Sequence, residues 1–131
     1  MKCAEKIISA DGAKAAAQKI NFEKTVLTYV LWDRTNTNPL PIYVGTAKSK
    51  ARIENHARKA AGNAKLARKS NHIEFAEFVE RKAKKHGPGW IGFSLYSHQS
   101  FDAAKAHEVN LIEQNGLKRF GGKLFNRTLS G

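Results

Sequence analysis

The hydrophobic positions of the chain follow two different periods, one typical of strands and one typical of helices. Residues 25–32 are rich in β-branched and aromatic side chains and are apolar on both faces, which predicts a strand at the centre of a sheet. Residues 42–44 and 90–97 predict two further strands, the second from its alternation of larger apolar with smaller or polar side chains.

The segment between the first two predicted strands, residues 33–41, contains Asn, Thr and Pro, which favour a loop. We therefore expect an antiparallel hairpin, with the second strand ended by Gly45. If the pairing is centred near residue 36, Tyr29 and Tyr43 lie opposite each other and share one face, because cross-strand partners point the same way.

Three segments with apolar residues at helical spacing predict helices over residues 46–61, 70–85 and 100–115. The third has capping signals at both ends, Ser100 before its first turn and Gly116 after its last. The residues expected to face the core are Ile53, Ala57 and Ala60 in the first helix and Ile73, Ala76, Val79 and Ala83 in the second.

The resulting order β-β-α-α-β-α predicts a small α+β fold, an antiparallel sheet of about three strands flanked by helices. Residues 24–131 would form this domain, and residues 1–23 an N-terminal helical extension. No apolar run reaches the roughly 18 residues of a membrane span, and we expect no secretory signal. The single cysteine, Cys3, argues against a disulfide framework or a cysteine-rich zinc site, so we expect a cytoplasmic protein.

The charge changes the picture from an ordinary small domain to one that meets a polyanion. The chain has 23 Lys and Arg against 11 Asp and Glu, a net charge of +12. Nucleic acid is the leading partner; a membrane surface would call for an amphipathic helix with large apolar anchors, which the chain lacks. Charge for solubility alone is the plainest alternative. The residues expected to contact phosphates are Lys48, Lys50, Arg58, Lys59, Lys65, Arg68 and Lys69.

One carboxylate stands among the apolar positions of the last predicted helix. Glu108 follows Ala104 by one helical turn and precedes Leu111 and Ile112 on the same stripe. Burying a carboxylate without a partner is costly. Glu108 is therefore either salt-bridged to a Lys or Arg of the basic helices, or it is a general base or a ligand for Mg²⁺ or Mn²⁺.

Four further residues are candidates for phosphate and proton chemistry. Arg52 and His56 are four apart on one helix face, and they suit phosphate binding and proton transfer respectively, although a basic chain produces such spacings by chance. Tyr29 and Tyr43 are of a type more often found in cores. A phenol has a pKa near 10 and needs a nearby cation, such as Arg52, Lys48 or a bound metal, to act as a base.

In their order along the chain these residues resemble the GIY-YIG nuclease superfamily, over about residues 24–131. The matching elements are Tyr29, Tyr43-Val44-Gly45, Arg52 with His56, Glu108 and Asn126. The first motif reads Leu27-Thr28-Tyr29 where the family has Gly-Ile-Tyr. The loop between the tyrosines is longer than the common form, and the stretch from Gly45 to Arg52 is about a residue shorter. These departures bear on the subfamily, since the side chains expected to do chemistry are present.

The resemblance implies an endonuclease that hydrolyses DNA phosphodiester bonds with one Mg²⁺ or Mn²⁺ ion held by Glu108. Tyr29, with Tyr43 beside it, would act on the attacking water as general base or orienter. Arg52 would neutralise charge on the phosphoryl oxygens, and His56 would orient a tyrosine or relay its proton. Asn126 would position the substrate backbone or brace the site.

The sequence leaves the substrate and the class of protein open. RNA remains a second substrate, and specificity would come from the domain itself, a homodimer or a targeting partner, or would be low. A restriction-type or phage-type enzyme is preferred over a branch- or flap-specific one. The alternative from another class is a non-catalytic basic nucleic-acid-binding module that retains the fold. A third, an RNA-binding protein, would expose aromatics for base stacking.

Overall fold

The computed structural model describes residues 6–62, 73–116 and 124–125, and these form an α+β fold with four helices and four strands. A single turn of 3₁₀ helix, Pro88–Trp90, leads into the last strand. The strands are β1 (Ile8–Ser9), β2 (Val26–Asp33), β3 (Leu40–Ala47) and β4 (Ile91–His98). The helices are α1 (Ala10–Lys19), α2 (Lys50–Ala60), α3 (Ile73–His86) and α4 (Phe101–Asn115).

The four strands form one antiparallel sheet in the order β1-β4-β2-β3. β2 lies between β4 and β3 and is buried along nearly its whole length, which confirms the prediction of a central strand. The prediction of about three strands is wrong by one. In the N-terminal segment, Ile8 pairs with Phe93 and Ser9 with Gly92, and a strand of two residues is too short to leave a periodic signal.

The second strand of the hairpin is longer than predicted. β3 continues through Gly45 to Ala47, so residues 46–47, expected to begin a helix, belong to the sheet, and α2 starts at Lys50. Gly45 does not break the strand, and it stands directly opposite Tyr29 in the pairing with β2. A Cβ at this position would overlap the phenol oxygen and ring of Tyr29, so glycine makes room for the ring across the strand pair.

The pairing of the hairpin also differs from the symmetric one expected. Tyr29 pairs with Gly45, and Tyr43 pairs with Leu31, so the two tyrosines are diagonal neighbours on one face rather than direct partners. An irregularity between Leu31 and Trp32 shifts the register near the loop. Side chains two residues apart along a strand still share a face, and the rings reach each other diagonally.

Helices cover both faces of the sheet. α1, α2 and α3 pack on the face that carries Tyr29 and Tyr43, and α4 packs on the other face against β2, β3 and β4. The predicted core residues that are buried are Ile53, Ala57, Ala60, Val79 and Ala83. Ala76 is only partly buried, and the side chain of Ile73 lies outside the described residues. Phe75 takes the inward position of α3 instead, where its ring stacks on Tyr43.

The ends of the last helix agree with their capping signals. The Ser100 hydroxyl accepts a hydrogen bond from the Ala103 amide, and Gly116 ends α4 with φ of 75°. Trp90 was expected to begin the last strand, but it lies in the 3₁₀ turn, buried, with its indole N–H donated to the Ala60 carbonyl. No helix in the described ranges is both long enough and apolar enough to cross a membrane.

Candidate active site

Three of the predicted site residues form a buried aromatic cluster beneath α2. The Tyr29 hydroxyl and His56 Nε2 are 2.9 Å apart and hydrogen-bonded. The Tyr29 and Tyr43 rings stack with centroids 6.4 Å apart, and the Tyr43 and His56 rings are 5.6 Å apart. Tyr29, Tyr43 and His56, which come from β2, β3 and α2, are therefore in direct contact, as the catalytic roles proposed from the sequence require.

The cluster fixes the protonation of the phenols. Burial raises the pKa of Tyr29 well above 10; Tyr43 and Glu108 raise it further and Arg52 lowers it. Burial likewise raises the pKa of Tyr43, opposed by Arg52 and reinforced by Glu108. Arg52 thus acts in the direction expected, but burial outweighs it. Both tyrosines are neutral phenols at physiological pH, able to donate and accept hydrogen bonds.

Glu108 lies on the other face of the sheet, where 1% of its surface is exposed. The Thr46 hydroxyl donates a hydrogen bond of 3.0 Å to its Oε1. Lys105 Nζ is 2.9 Å from Oε2, so the salt bridge considered from the sequence exists, although its partner is on the same helix. That contact lacks hydrogen-bond geometry, and within the described residues Oε2 accepts no hydrogen bond.

A buried carboxylate oxygen without a hydrogen bond suits a small divalent cation. In the described part of the chain no three His, Cys, Asp or Glu side chains converge, and Glu108 is the carboxylate that would hold the ion. Mg²⁺ accepts this arrangement, because it retains several waters and is commonly held by one or two carboxylates together with substrate phosphates. The donor set therefore fits Mg²⁺ or Mn²⁺ better than an ion that needs a cage of protein ligands.

The two halves of the site meet at adjacent residues of β3. Gly45 is covered by the Tyr29 ring on one face, and the next residue, Thr46, binds Glu108 on the other. The negative charge of Glu108 raises the pKa of both phenols, so the carboxylate is within electrostatic range of Tyr29 and Tyr43 across this strand.

Arg52 adds a positive charge at the start of α2. Its side chain is exposed, and its charge lowers the pKa of both phenols. Burial, and then Arg52, lowers the pKa of Lys59, which is two turns further along the same helix face. Arg52 is thus open to solvent while its charge acts on the buried tyrosines.

Of the remaining predicted site and phosphate-contact residues, only some lie in the described part of the chain. Lys48, Lys50 and Arg58 are exposed and Lys59 is half-buried, next to α2 or on it. Asn126, Lys65, Arg68 and Lys69 lie outside the described residues.

Three residues that the sequence analysis did not single out contact the Glu108 side of the site. Thr46 was hidden by its assignment to a helix. Lys105 could have been found, since it precedes Glu108 by three residues, a spacing that brings helical side chains together. Phe101 begins α4 and is 39% exposed, with Lys48 Nζ 4.1 Å from its ring centroid. The sequence gives no signal for the exposure of Phe101, because an apolar residue directly after a helix cap is ordinary.

Comparison with known proteins provides no family assignment: no family model, no curated protein and no solved structure matches the chain. A function for the chain therefore depends on the residues that its fold brings together.

Proposed function

We propose that the chain is an endonuclease of the GIY-YIG type, which hydrolyses DNA phosphodiester bonds with a divalent cation at Glu108. One observation carries the proposal. Tyr29, Tyr43 and His56 are in contact on one face of the sheet, and the charges of Arg52 and of Glu108, which lies on the other face, act on both phenols. Binding phosphates by positive charge alone requires neither Glu108 nor the Tyr29–His56 pair.

The Tyr29–His56 pair is the proposed acceptor of the water proton. Because the phenol is neutral, it has to give up its own proton as it takes one. The hydrogen bond of 2.9 Å allows this: water transfers a proton to Tyr29 Oη while the phenol proton passes to His56 Nε2. The relay needs His56 with an unprotonated Nε2 and creates no lasting phenolate.

Tyr43 and Arg52 complete the protein's part of the reaction. Tyr43 holds the Tyr29 ring from one side and packs on Phe75 on the other, which fixes the orientation of the relay. Arg52 would bind the phosphoryl oxygens, where a guanidinium can form two parallel hydrogen bonds and offset the charge that develops in the transition state.

Glu108 would hold Mg²⁺ or Mn²⁺, which when bound supplies Lewis-acid polarisation of the scissile phosphate and stabilises the leaving oxygen. Thr46 fixes Oε1 of the carboxylate and leaves Oε2 toward Lys105. Lys105 has a side chain that is 34% exposed, so it can swing into solvent when another cation takes its place. Its ammonium balances the buried charge until then.

A second candidate is a non-catalytic nucleic-acid-binding module of the same fold. The ion pair between Lys105 and Glu108 favours it, since a carboxylate kept only for stability would have such a partner. On this alternative the basic residues bind DNA and Glu108 supports α4.

The test is the conversion of supercoiled plasmid to nicked or linear DNA at low salt, with Mg²⁺ or with EDTA. Glu108→Gln removes the charge but keeps the shape and an oxygen for Thr46. Glu113→Gln makes the same change on an exposed residue of the same helix and is the matched control. We expect Mg²⁺-dependent cleavage that Glu108→Gln lowers by about a hundredfold or more and that Glu113→Gln leaves unchanged.

Metal-dependent cleavage that survives in Glu108→Gln would refute the role of this carboxylate. A wild-type protein that binds plasmid tightly, loses it with added salt and never cleaves it would favour the binding module. Melting curves of both variants separate loss of chemistry from loss of fold.

A further inference from the structure

An exposed phenyl ring flanked by two lysines lies beside Glu108. Phe101 is one of two large hydrophobic residues in the described part of the chain that are substantially exposed, at 39%, the other being Leu40. Lys48 Nζ is 4.1 Å and Lys105 Nζ 5.9 Å from the Phe101 ring centroid. We call Phe101, Lys48 and Lys105 the Phe101 patch.

The patch is connected to the candidate metal ligand by two routes. Lys105 contacts both the Phe101 ring and Glu108 Oε2. Lys48 follows two residues after Thr46, which binds Glu108 Oε1. Phe101 and Glu108 are about two helical turns, or ~10 Å, apart along the same helix, so a phosphate near Glu108 would leave Phe101 within reach of a neighbouring nucleotide.

The exposed part of the Phe101 ring is not used in the packing of the core. Phe101 is in neither core cluster of the described residues, although it starts a helix whose later residues are buried. Two ammonium groups over one ring repel each other, and an exposed cation–π contact contributes little to stability. Both ammonium groups are on exposed or half-exposed side chains and can leave the ring.

We propose that Phe101 stacks an unpaired nucleobase of a DNA substrate while Lys48 and Lys105 bind the phosphates on either side of it. A base in a continuous duplex has both its faces covered by neighbouring base pairs, so only an unpaired or splayed nucleotide can offer a face to the ring. The substrate that this patch fits is DNA with a single-stranded segment next to the scissile bond. This inference rests on the proposed function for the position of that bond, but the binding site itself does not.

Binding without metal tests the patch separately from cleavage. In EDTA, fluorescence anisotropy would give the Kd of labelled DNAs of one sequence as a single strand, a blunt duplex and a duplex with an unpaired flap. A single-stranded RNA of the same sequence is the fourth probe. Phe101→Leu keeps an apolar side chain and loses the ring, Phe101→Tyr keeps the ring, and Leu40→Ala removes the other exposed apolar side chain.

We expect the wild type to bind the single strand and the flap more tightly than the duplex. Phe101→Leu should weaken those two complexes on the order of tenfold and the duplex by less than about twofold, whereas Phe101→Tyr and Leu40→Ala should match the wild type. A fluorescent adenine analogue in the single strand should be quenched by the wild type and by Phe101→Tyr but not by Phe101→Leu.

Three results would overturn the proposal. Phe101→Leu could bind every probe like the wild type, or it could lose affinity equally for all, in which case the ring only supports the lysines. Tighter binding of the RNA than of the DNA single strand would refute DNA as the ligand. Plasmid cleavage tests the proposed function separately. If the protein cleaves plasmid and Phe101→Leu does not change DNA binding, only the Phe101 patch is refuted. If Phe101→Leu weakens binding of unpaired DNA but the wild type does not cleave, only the nuclease is refuted.

Discussion

At the scale of single residues, the contact of Tyr29 with Gly45 decides where the phenol lies. Replacing Gly45 by alanine would put a methyl group into the Tyr29 ring, and overpacking of a buried site costs about 1–3 kcal/mol. The ring can escape only by leaving its place beside His56. We therefore expect Gly45→Ala to lower the free energy of unfolding by about that amount, measured by urea denaturation, and to lower plasmid cleavage.

The chain contains a matched control for this change. Gly89 has no positive φ, and a Cβ built there meets nothing within 4 Å, so Gly89→Ala should leave stability and cleavage near wild-type values. Equal stability of the two variants would mean that the Tyr29 ring does not lie against Gly45. A loss of cleavage by Gly45→Ala under conditions where the variant is still folded would trace the effect to displacement of the Tyr29 ring from His56 rather than to unfolding.

The sequence was most informative for residues whose chemistry conflicts with their position. Glu108 was found because a carboxylate among apolar residues at helical spacing needs an explanation. Thr46 and Phe101 conflict with nothing in the local pattern, since a threonine in a strand and a phenylalanine in a helix are ordinary. Their contacts with Glu108 and Lys48 are tertiary, and no spacing along the chain encodes them.

At the scale of elements, two threonines attach α4 to the sheet by different partners. Thr28 and Thr46 are directly paired across β2 and β3, and both point toward α4. The Thr28 hydroxyl donates to the Ala104 carbonyl at 2.7 Å, whereas that of Thr46 donates to the Glu108 carboxylate at 3.0 Å. Thr28 therefore anchors the backbone of the helix, whereas Thr46 orients the Glu108 carboxylate.

Thr28→Val and Thr46→Val each remove one buried hydrogen bond, so each should lower the free energy of unfolding by about 1–3 kcal/mol. Only Thr46→Val releases Glu108, the proposed metal ligand, and loss of a group that orients such a ligand costs about 10–100-fold in metal affinity. We expect Thr46→Val, but not Thr28→Val, to weaken Mn²⁺ binding. The affinity is measured by titration of the Mn²⁺ electron paramagnetic resonance signal. Equal Mn²⁺ affinity in the two variants would show that Thr46 does not orient the ligand.

The elements themselves were largely predictable, and their errors have a common cause. Central β2 and capped α4 have strong local signals and were correct. The end of β3 and the existence of β1 depend on pairing with distant strands, which allows Gly45 inside a strand and a strand of two residues. In α3 the prediction was correct for Val79 and Ala83 but wrong at Ala76, because Phe75, which stacks on Tyr43, buries more apolar surface.

At the scale of the whole molecule, each of the two buried carboxylates of the described residues, Asp33 and Glu108, is paired with a lysine. In the described residues Asp33, at the end of β2, is paired with Lys82 of α3 at 3.2 Å. The amide and hydroxyl of Thr35 also donate to Asp33 Oδ1, at 2.9 and 2.6 Å. This cluster joins the end of the central strand to the helix that packs against Tyr43, so it holds the sheet and the aromatic half of the site together.

The cluster makes the free energy of unfolding depend on pH. Burial alone would raise the pKa of Asp33, but the hydrogen bonds from Thr35 and then the hydrogen bond and charge of Lys82 outweigh it, so the pKa falls below 3.8. A carboxyl with a lower pKa in the folded than in the unfolded state stabilises the fold fully above the unfolded value. That contribution is lost as the pH falls through the folded value.

Asp33→Asn therefore should cost about 1–3 kcal/mol at neutral pH, because it leaves Lys82 without its partner charge. The difference in unfolding free energy from the wild type should stay constant down to about pH 5 and shrink below pH 4, as the wild type itself loses the charge. Urea denaturation across this range measures this difference.

The control is Glu77→Gln, an exposed change on the same helix as Lys82, which should shift stability by less than about 0.5 kcal/mol. A difference for Asp33→Asn that persists undiminished at the acid end would assign the loss to the geometry of the Thr35 turn, which asparagine disturbs at every pH, rather than to the charge pair.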